Sequence, residues 1–216
     1  MNEYKWAVPV KVAGDPLELR LDFHNESVVL TEFYEDGNQV RMVSARDVAY
    51  ALAKELSYGS GLLPEGTLWF SNTKDGPVYA LYEAPRTRKV ALAKTTGKPL
   101  RYTIPLPGLI FLCSPGKPPH VYAVKRKPSK MTDLVYHAPL LNVFENGASC
   151  PGNHVYPARV QDVVESFFQS FFSGFEQGKR SVKYKSVAEV WKALDGKKKY
   201  PMGDLVKFGT LEDLAK

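Results

Sequence analysis

Between Thr67 and Val124 the chain breaks into six short β-rich runs: Thr67–Phe70, Val78–Tyr82, Val90–Leu92, Tyr102–Ile104, Leu109–Leu112 and Val121–Val124. Gly, Pro, Asn or Lys residues separate each run from the next. Connections this short have no room for the crossover that parallel neighbours need, so the runs are expected to pair antiparallel. Pro105 and Pro107 sit in the stretch from Tyr102 to Leu112, and a proline has no N–H to give to a ladder. That stretch is therefore expected to be bent or split at a sheet edge.

Two kinds of element flank these runs. Leu17, Leu19, Leu21 and Phe23 alternate with Glu18, Arg20 and Asp22, and Ser27–Tyr34 follows after the polar break His24-Asn25-Glu26. This pattern predicts an N-terminal hairpin. Ser44 is placed to cap a helix with Asp47 at the third position inside it, Val48, Ala49, Leu52, Ala53 and Leu56 on its apolar face and Gly59-Ser60-Gly61 at its end. Further on, Val160, Val163, Val164, Phe167, Phe168, Phe171, Phe172 and Phe175 recur at spacings of three and four. That spacing predicts a helix of about four turns, with Gln161, Asp162, Glu165, Ser166 and Gln169 on its polar face and an end at Gly174 or Gly178. Phenylalanines in this number aggregate when left in water, so the stripe is expected to pack on the sheet. A last helix, Ser186–Leu194, carries Val187, Val190, Trp191 and Leu194. The expected fold class is α+β: an antiparallel meander sheet packed by helices, with an N-terminal β extension.

The chemistry concentrates in Asn142-Val-Phe-Glu-Asn-Gly-Ala-Ser-Cys150. Asn146-Gly147 suits a tight turn with positive φ at its central residues, which would fold this stretch into a small hairpin with Asn142 and Cys150 on its flanks. An amide N–H donor beside a thiol suits acyl transfer, in which the thiolate carries a carbonyl and the developing oxyanion needs a fixed donor. The bland alternative is a loop-capping asparagine and a small, buried, apolar cysteine.

These residues resemble the active loop of ubiquitin-conjugating enzymes, in which an asparagine, an Asn-Gly turn and the thioester-forming cysteine follow at the same offsets. The wider strings Ala138-Pro139-Leu140-Leu141-Asn142 and Cys150-Pro151-Gly152-Asn153 are more similar to a prokaryotic branch of that superfamily, the one that includes PRTRC system protein B. The specific part of the likeness spans about residues 134 to 157. It implies a thioester on Cys150 and an oxyanion donor in Asn142. It also implies a ThiF-like activating enzyme and a ubiquitin-like protein as partners, and a JAB-type peptidase from the same operon. No metal or organic cofactor is implied, since the activating partner consumes the ATP. The implied organisation is a β-hairpin extension over 1–43, a ubiquitin-conjugating-enzyme-like core over 44–178 and a basic helical extension over 179–216. Three positions depart from the pattern: Leu140-Leu141 stands where His-Pro would be, Gly152 where an aspartate often follows, and Val155-Tyr156-Pro157 only echoes Trp-Ser-Pro.

With the His-Pro pair missing, two histidines are candidates to fill the gap. His154 can lower the thiol pKa as a cation or take a proton from the incoming acceptor, or it simply decorates a loop. His137 precedes the asparagine loop and can brace it through a ring N–H, or it packs.

The rest of the composition sets limits. With 216 residues, 44% of them apolar, the chain is expected to form one large domain or one with appendages. Cys113 and Cys150 are the only cysteines, and one strand thiol plus one loop thiol is no disulfide framework. The N-terminus shows no secretory pattern and no apolar run nears the length of a membrane span, so a cytoplasmic protein is expected. Residues 84–132 hold 11 basic and no acidic residues, against 7 basic and 13 acidic in residues 1–83. Association with an acidic partner or nucleic acid is thus physically reasonable, with Arg86, Arg88, Lys89, Lys125, Arg126 and Lys127 on phosphates and Tyr102 and Tyr122 stacking on bases. A Lys-rich edge that blocks sheet-to-sheet pairing is the alternative. A non-catalytic scaffold of the same fold, docking the activating enzyme or the modifier, is a further reading.

Overall fold

The structure, a computed structural model, describes residues 18–25, 27–55, 62–73, 75–94 and 96–215. Its contacts gather the chain into two units, 1–61 and 62–216. In the first, β1 (Leu19–Phe23), β2 (Val28–Tyr34) and β3 (Gly37–Val43) form an antiparallel sheet in that order. The β1–β2 hairpin is the expected one. The sequence pattern does not mark strand β3, because Gly37-Asn38-Gln39 opens it like a loop and only Val40 and Met42 carry the alternation. Helix α1 (Ala45–Glu55) begins as its sequence predicts, with the Asp47 N–H donating to Ser44 Oγ at 3.0 Å. The Gly59-Ser60-Gly61 stop lies outside the described residues.

The second unit is built on a six-stranded antiparallel sheet. Its strands are β4 (Thr67–Thr73), β5 (Gly76–Glu83), β8 (Gly108–Cys113), β9 (His120–Val124), β10 (Leu134–His137) and β11 (Lys207–Thr210), and its order is β11-β10-β9-β8-β5-β4. Strands β6 (Thr87–Leu92) and β7 (Leu100–Pro105) leave the sheet as a separate two-stranded hairpin, so β5 pairs directly with β8. The sheet is therefore not a plain meander. The proline pair accounts for the break: the chain leaves β7 at Pro105 and enters β8 at Gly108, and neither Pro105 nor Pro107 has a proton for a continuous ladder. The split occurs as expected, but β8 is central rather than an edge.

Both faces of β8 and β9 are buried, by the two-residue period of a strand. Leu109, Phe111, Cys113, Val121 and Ala123 face the cluster that holds helices α2 (Val160–Gln169) and α3 (Val187–Leu194). Ile110, Tyr122 and Val124 face Val135 and Leu211 on the other side. Phe111 meets Phe167 and Phe168 edge-on at 5.6 and 6.0 Å, and Phe172 bridges Phe167 to Trp191 at 5.5 and 5.1 Å. The Trp191 indole N–H donates to the Pro139 carbonyl at 3.0 Å, so the core is keyed to the chain just before Asn142. Residues 179–216 supply α3, β11 and the buried Tyr200 and Leu205, all in this same unit.

The apolar stripe outruns its helix. Helix α2 stops at Gln169, because Ser170 turns extended and Phe172 forms a bridge to Leu92 of β6. Of the five phenylalanines, Phe167, Phe168 and Phe172 are buried, while Phe171 and Phe175 are 58% and 41% exposed. The spacing of three and four persisted past the point where tertiary pairing took over. Among the described residues no helix is long and apolar enough to cross a membrane.

Trp191 is fully buried and ties α3 to both Phe172 and Pro139. Replacing it with alanine is expected to cost the 62–216 unit about 3–5 kcal/mol, as large-to-small core changes do. Denaturant unfolding followed by circular dichroism measures it.

Candidate functional site

Residues 142–150 fold into a hairpin whose two ends are joined by their own backbone. The Cys150 N–H donates to the Asn142 carbonyl at 2.7 Å, Val143 and Ser149 form an antiparallel bridge, and the Phe144 N–H donates to the Ala148 carbonyl at 2.7 Å. At the tip the Gly147 N–H returns to the Phe144 carbonyl at 2.8 Å. The turn differs from the one the sequence suggests. Its central residues are Glu145 and Asn146, and of the Asn146-Gly147 pair only the glycine has positive φ, at 87°. Glycine is required there twice over, since a Cβ would also stand 2.4 Å from the Tyr122 ring. The positive φ that asparagine tolerates falls instead at Asn142, at 58°.

The hairpin extends the sheet beyond the start of β9. Val121 N–H donates to the Gly147 carbonyl at 2.7 Å, the Ser149 N–H and hydroxyl both donate to the Pro119 carbonyl at 3.0 and 2.6 Å, and the Tyr122 hydroxyl donates to the Asn146 carbonyl at 2.6 Å. Leu140 and Leu141, at the positions of the missing His-Pro pair, are fully buried in the core.

Cys150 is partly exposed and Cys113 is buried. Burial pushes the Cys113 thiol up to about 12, so it stays protonated and inert near neutrality. Tyr156 is 6% exposed. Burial holds its phenol above the usual range, a hydrogen bond with Ser149 opposes that, and both cysteines act on it electrostatically. Tyr156 was legible in the sequence only as part of a weak echo.

The Asn142 side chain is fixed by the segment that follows α2. The Ser173 N–H and hydroxyl donate to Asn142 Oδ1 at 3.0 and 2.8 Å, Nδ2 lies 3.4 Å from the Phe171 carbonyl, and the Asn142 N–H donates to the Phe175 carbonyl at 2.8 Å. A backbone N–H can only donate, so the atom facing Ser173 must be the carboxamide oxygen. Hairpin and backbone thus bring Asn142 and Cys150 together, while the carboxamide oxygen is turned to Ser173.

The histidines take other partners. His154 Nε2 lies 2.8 Å from Ser166 Oγ on α2, and its ring stands edge-on to Tyr156 at 4.8 Å. The His137 ring reaches the asparagine loop through Arg180, not by donating a ring N–H to it. Its Nδ1 accepts from Arg180 Nη1 at 3.2 Å, because a guanidinium offers only donors. Arg180 is 3% exposed and passes the support on, with Nη2 donating to the Val143 carbonyl at 2.7 Å and Nε to the Gln177 carbonyl at 3.1 Å. Burial lowers its pKa, and the Glu145 and Glu176 carboxylates oppose that shift. In the sequence Arg180 was one more residue of a basic run.

The basic block is largely engaged. Arg86 and Arg88 pair with Glu83 and Glu165, Arg126 with Asp133, and the Lys125 ammonium sits over the Tyr136 ring at 4.7 Å. Tyr122 is 4% exposed and Tyr102 packs on Trp191 at 6.3 Å. Tyr122 therefore cannot stack on bases, and the nucleic-acid reading loses half of its aromatic platform.

Compared with known proteins, residues 44–208 match the sequence model of one family, Prokaryotic E2 family D. No curated protein and no solved structure matches the chain.

Burial and the Arg180 charge hold the His137 pKa below its ordinary value, and burial alone does the same at His120. Below about pH 6.5 the unfolded chain therefore binds protons that the folded chain refuses. Stability is expected to be full above that pH and to fall as pH drops toward the lowered folded values. His137→Gln keeps an acceptor for Arg180 and should flatten the slope, which urea midpoints between pH 7.5 and 5 would measure.

Proposed function

The chain belongs to prokaryotic E2 family D, and on that premise we propose that it accepts a ubiquitin-like protein as a thioester on Cys150 from a ThiF-like activating enzyme and passes it to an amine or hydroxyl acceptor. The observation that carries this reading is the hairpin itself. Its closing bond, from the Cys150 N–H to the Asn142 carbonyl, keeps a partly exposed thiol and a carboxamide on the two flanks of one rigid turn. The chain's other thiol is buried and protonated.

The reaction has two exchanges. In the first, the Cys150 thiolate attacks the carbonyl carbon of the modifier's thioester on the activating enzyme, a new S–C bond forms, and the enzyme's thiolate leaves. In the second, the acceptor's nitrogen or oxygen attacks the same carbon, the C–S bond breaks and Cys150 is regenerated as thiolate. Each passes through a tetrahedral oxyanion, and Asn142 Nδ2–H is the donor assigned to that of the second. His154 takes the acceptor's proton in this reading. With Nε2–H donating to Ser166 Oγ, its Nδ1 keeps the lone pair that a base needs. A JAB-type peptidase is the partner expected to reverse the modification.

The second reading, a scaffold that docks the activating enzyme or modifier without carrying it, draws on Leu140 and Leu141. These bury apolar side chains where the likeness would place His-Pro. One substitution separates the two. With the activating enzyme, the modifier and ATP, Cys150→Ser should accumulate an ester that thiol reductants leave intact, and a scaffold accumulates none. Asn142→Ala should load normally and discharge to the acceptor about 10²- to 10³-fold more slowly, the usual loss for one oxyanion donor. Discharge near the unsubstituted rate removes Asn142 from the mechanism.

A further inference from the structure

The segment from Ser170 to Phe175 is tied on both sides. On one, the Phe172 N–H donates to the Ala91 carbonyl at 2.9 Å and the Phe172 carbonyl accepts from the Ala93 N–H at 2.7 Å, with the Phe172 ring fully buried between Phe167 and Trp191. On the other, Phe171, Ser173 and Phe175 all engage Asn142. Ser173 therefore cannot drift without disturbing β6 or the core.

Its two donors converge on a single atom, Asn142 Oδ1. A carboxamide whose oxygen is held twice has its NH₂ end presented by default. One of those N–H groups faces the Phe171 carbonyl at a long 3.4 Å, and the other has no partner among the described residues. We infer that Ser173 is the positioning residue of the site: it locks the Asn142 carboxamide in the one of its two orientations that offers N–H, rather than oxygen, to an acyl group on Cys150. The flipped orientation would set Oδ1 against the oxyanion and repel it, while leaving the Ser173 backbone N–H facing an NH₂. Ser173 does not itself touch the reacting carbonyl. This inference rests on the roles given above to Cys150 and Asn142.

The test needs no partner protein. Cys150 is acetylated by exchange with the acetyl thioester of mercaptoethanesulfonate, and Cys113 is spared by its burial. Aminolysis by ethylamine is then followed by intact mass. The amine lone pair attacks the carbonyl carbon, the C–N bond forms, the C–S bond breaks with its electron pair returning to sulfur, and the ammonium proton passes to buffer.

Ser173→Ala keeps the backbone donor and loses the hydroxyl, one neutral hydrogen bond at an exposed position, so aminolysis should slow about two- to tenfold. Ser173→Thr should restore the rate. In an Asn142→Ala background Ser173→Ala should have no further effect, a coupling that a general loss of structure would not produce. The proposal is overturned if Asn142→Ala is slow and Ser173→Ala is not, or if Ser173→Ala slows both backgrounds equally. An Asn142→Ala variant that reacts at the unsubstituted rate, or a Cys150 that refuses acetylation in the folded protein, overturns the underlying reading and this inference with it.

Discussion

The single hydrogen bond from the Cys150 N–H to the Asn142 carbonyl closes a nine-residue hairpin, and the rest of the second unit is arranged around keeping that closure intact. The tip is held by Gly147 packed against the Tyr122 ring. One arm is sewn to Pro119 and Val121 at the start of β9, and the other is anchored by Arg180 at Val143 and by Phe175 at Asn142. Each neutral bond is worth about 1 kcal/mol alone, and the one from the Arg180 guanidinium about 1.5–3 kcal/mol. Together they tie the hairpin to β9 on one side and to the segment after α2 on the other.

Arg180 shows how the fold replaces what the likeness to conjugating enzymes would supply locally. In place of a His-Pro pair beside the asparagine, a buried guanidinium reaches in from 38 residues past Asn142, satisfied by two carbonyls, by the His137 ring and by the charges of Glu145 and Glu176. Burying a cation is costly unless every donor is answered. That cost is why such a brace fixes one geometry. Leu140 and Leu141 are then free to fill the core under the loop, and Trp191 can take the Pro139 carbonyl.

What the sequence revealed and what it hid divide along physical lines. Local signals survived: the Ser44 cap, the start of α3 after Ser186, the β1–β2 alternation and the proline split before β8 all depend on near neighbours. Signals that depend on distant partners did not. Phe171 and Phe175 kept helical spacing outside a helix because Phe172 pairs with Leu92, far away in sequence. Strand β11, only Lys207–Thr210, exists because β10 offers it an edge. At the candidate site, the meeting of Asn142 and Cys150 on one hairpin was legible from their offset and Tyr156 only as part of a weak echo, whereas the contacts of Ser173 and Arg180 were not. Their residue types are unremarkable, and only the fold brings them to the hairpin.

Thioester transfer turns on which atom carries the modifier. After incubation of the unsubstituted protein with its activating enzyme, ubiquitin-like protein and ATP, peptide-level mass spectrometry under non-reducing conditions locates that atom directly. The expected result is a linkage to the sulfur of Cys150 that free thiols cleave, with Cys113 unmodified. A linkage to Cys113, or to a lysine while the Cys150 thiol remains free throughout the time course, contradicts it.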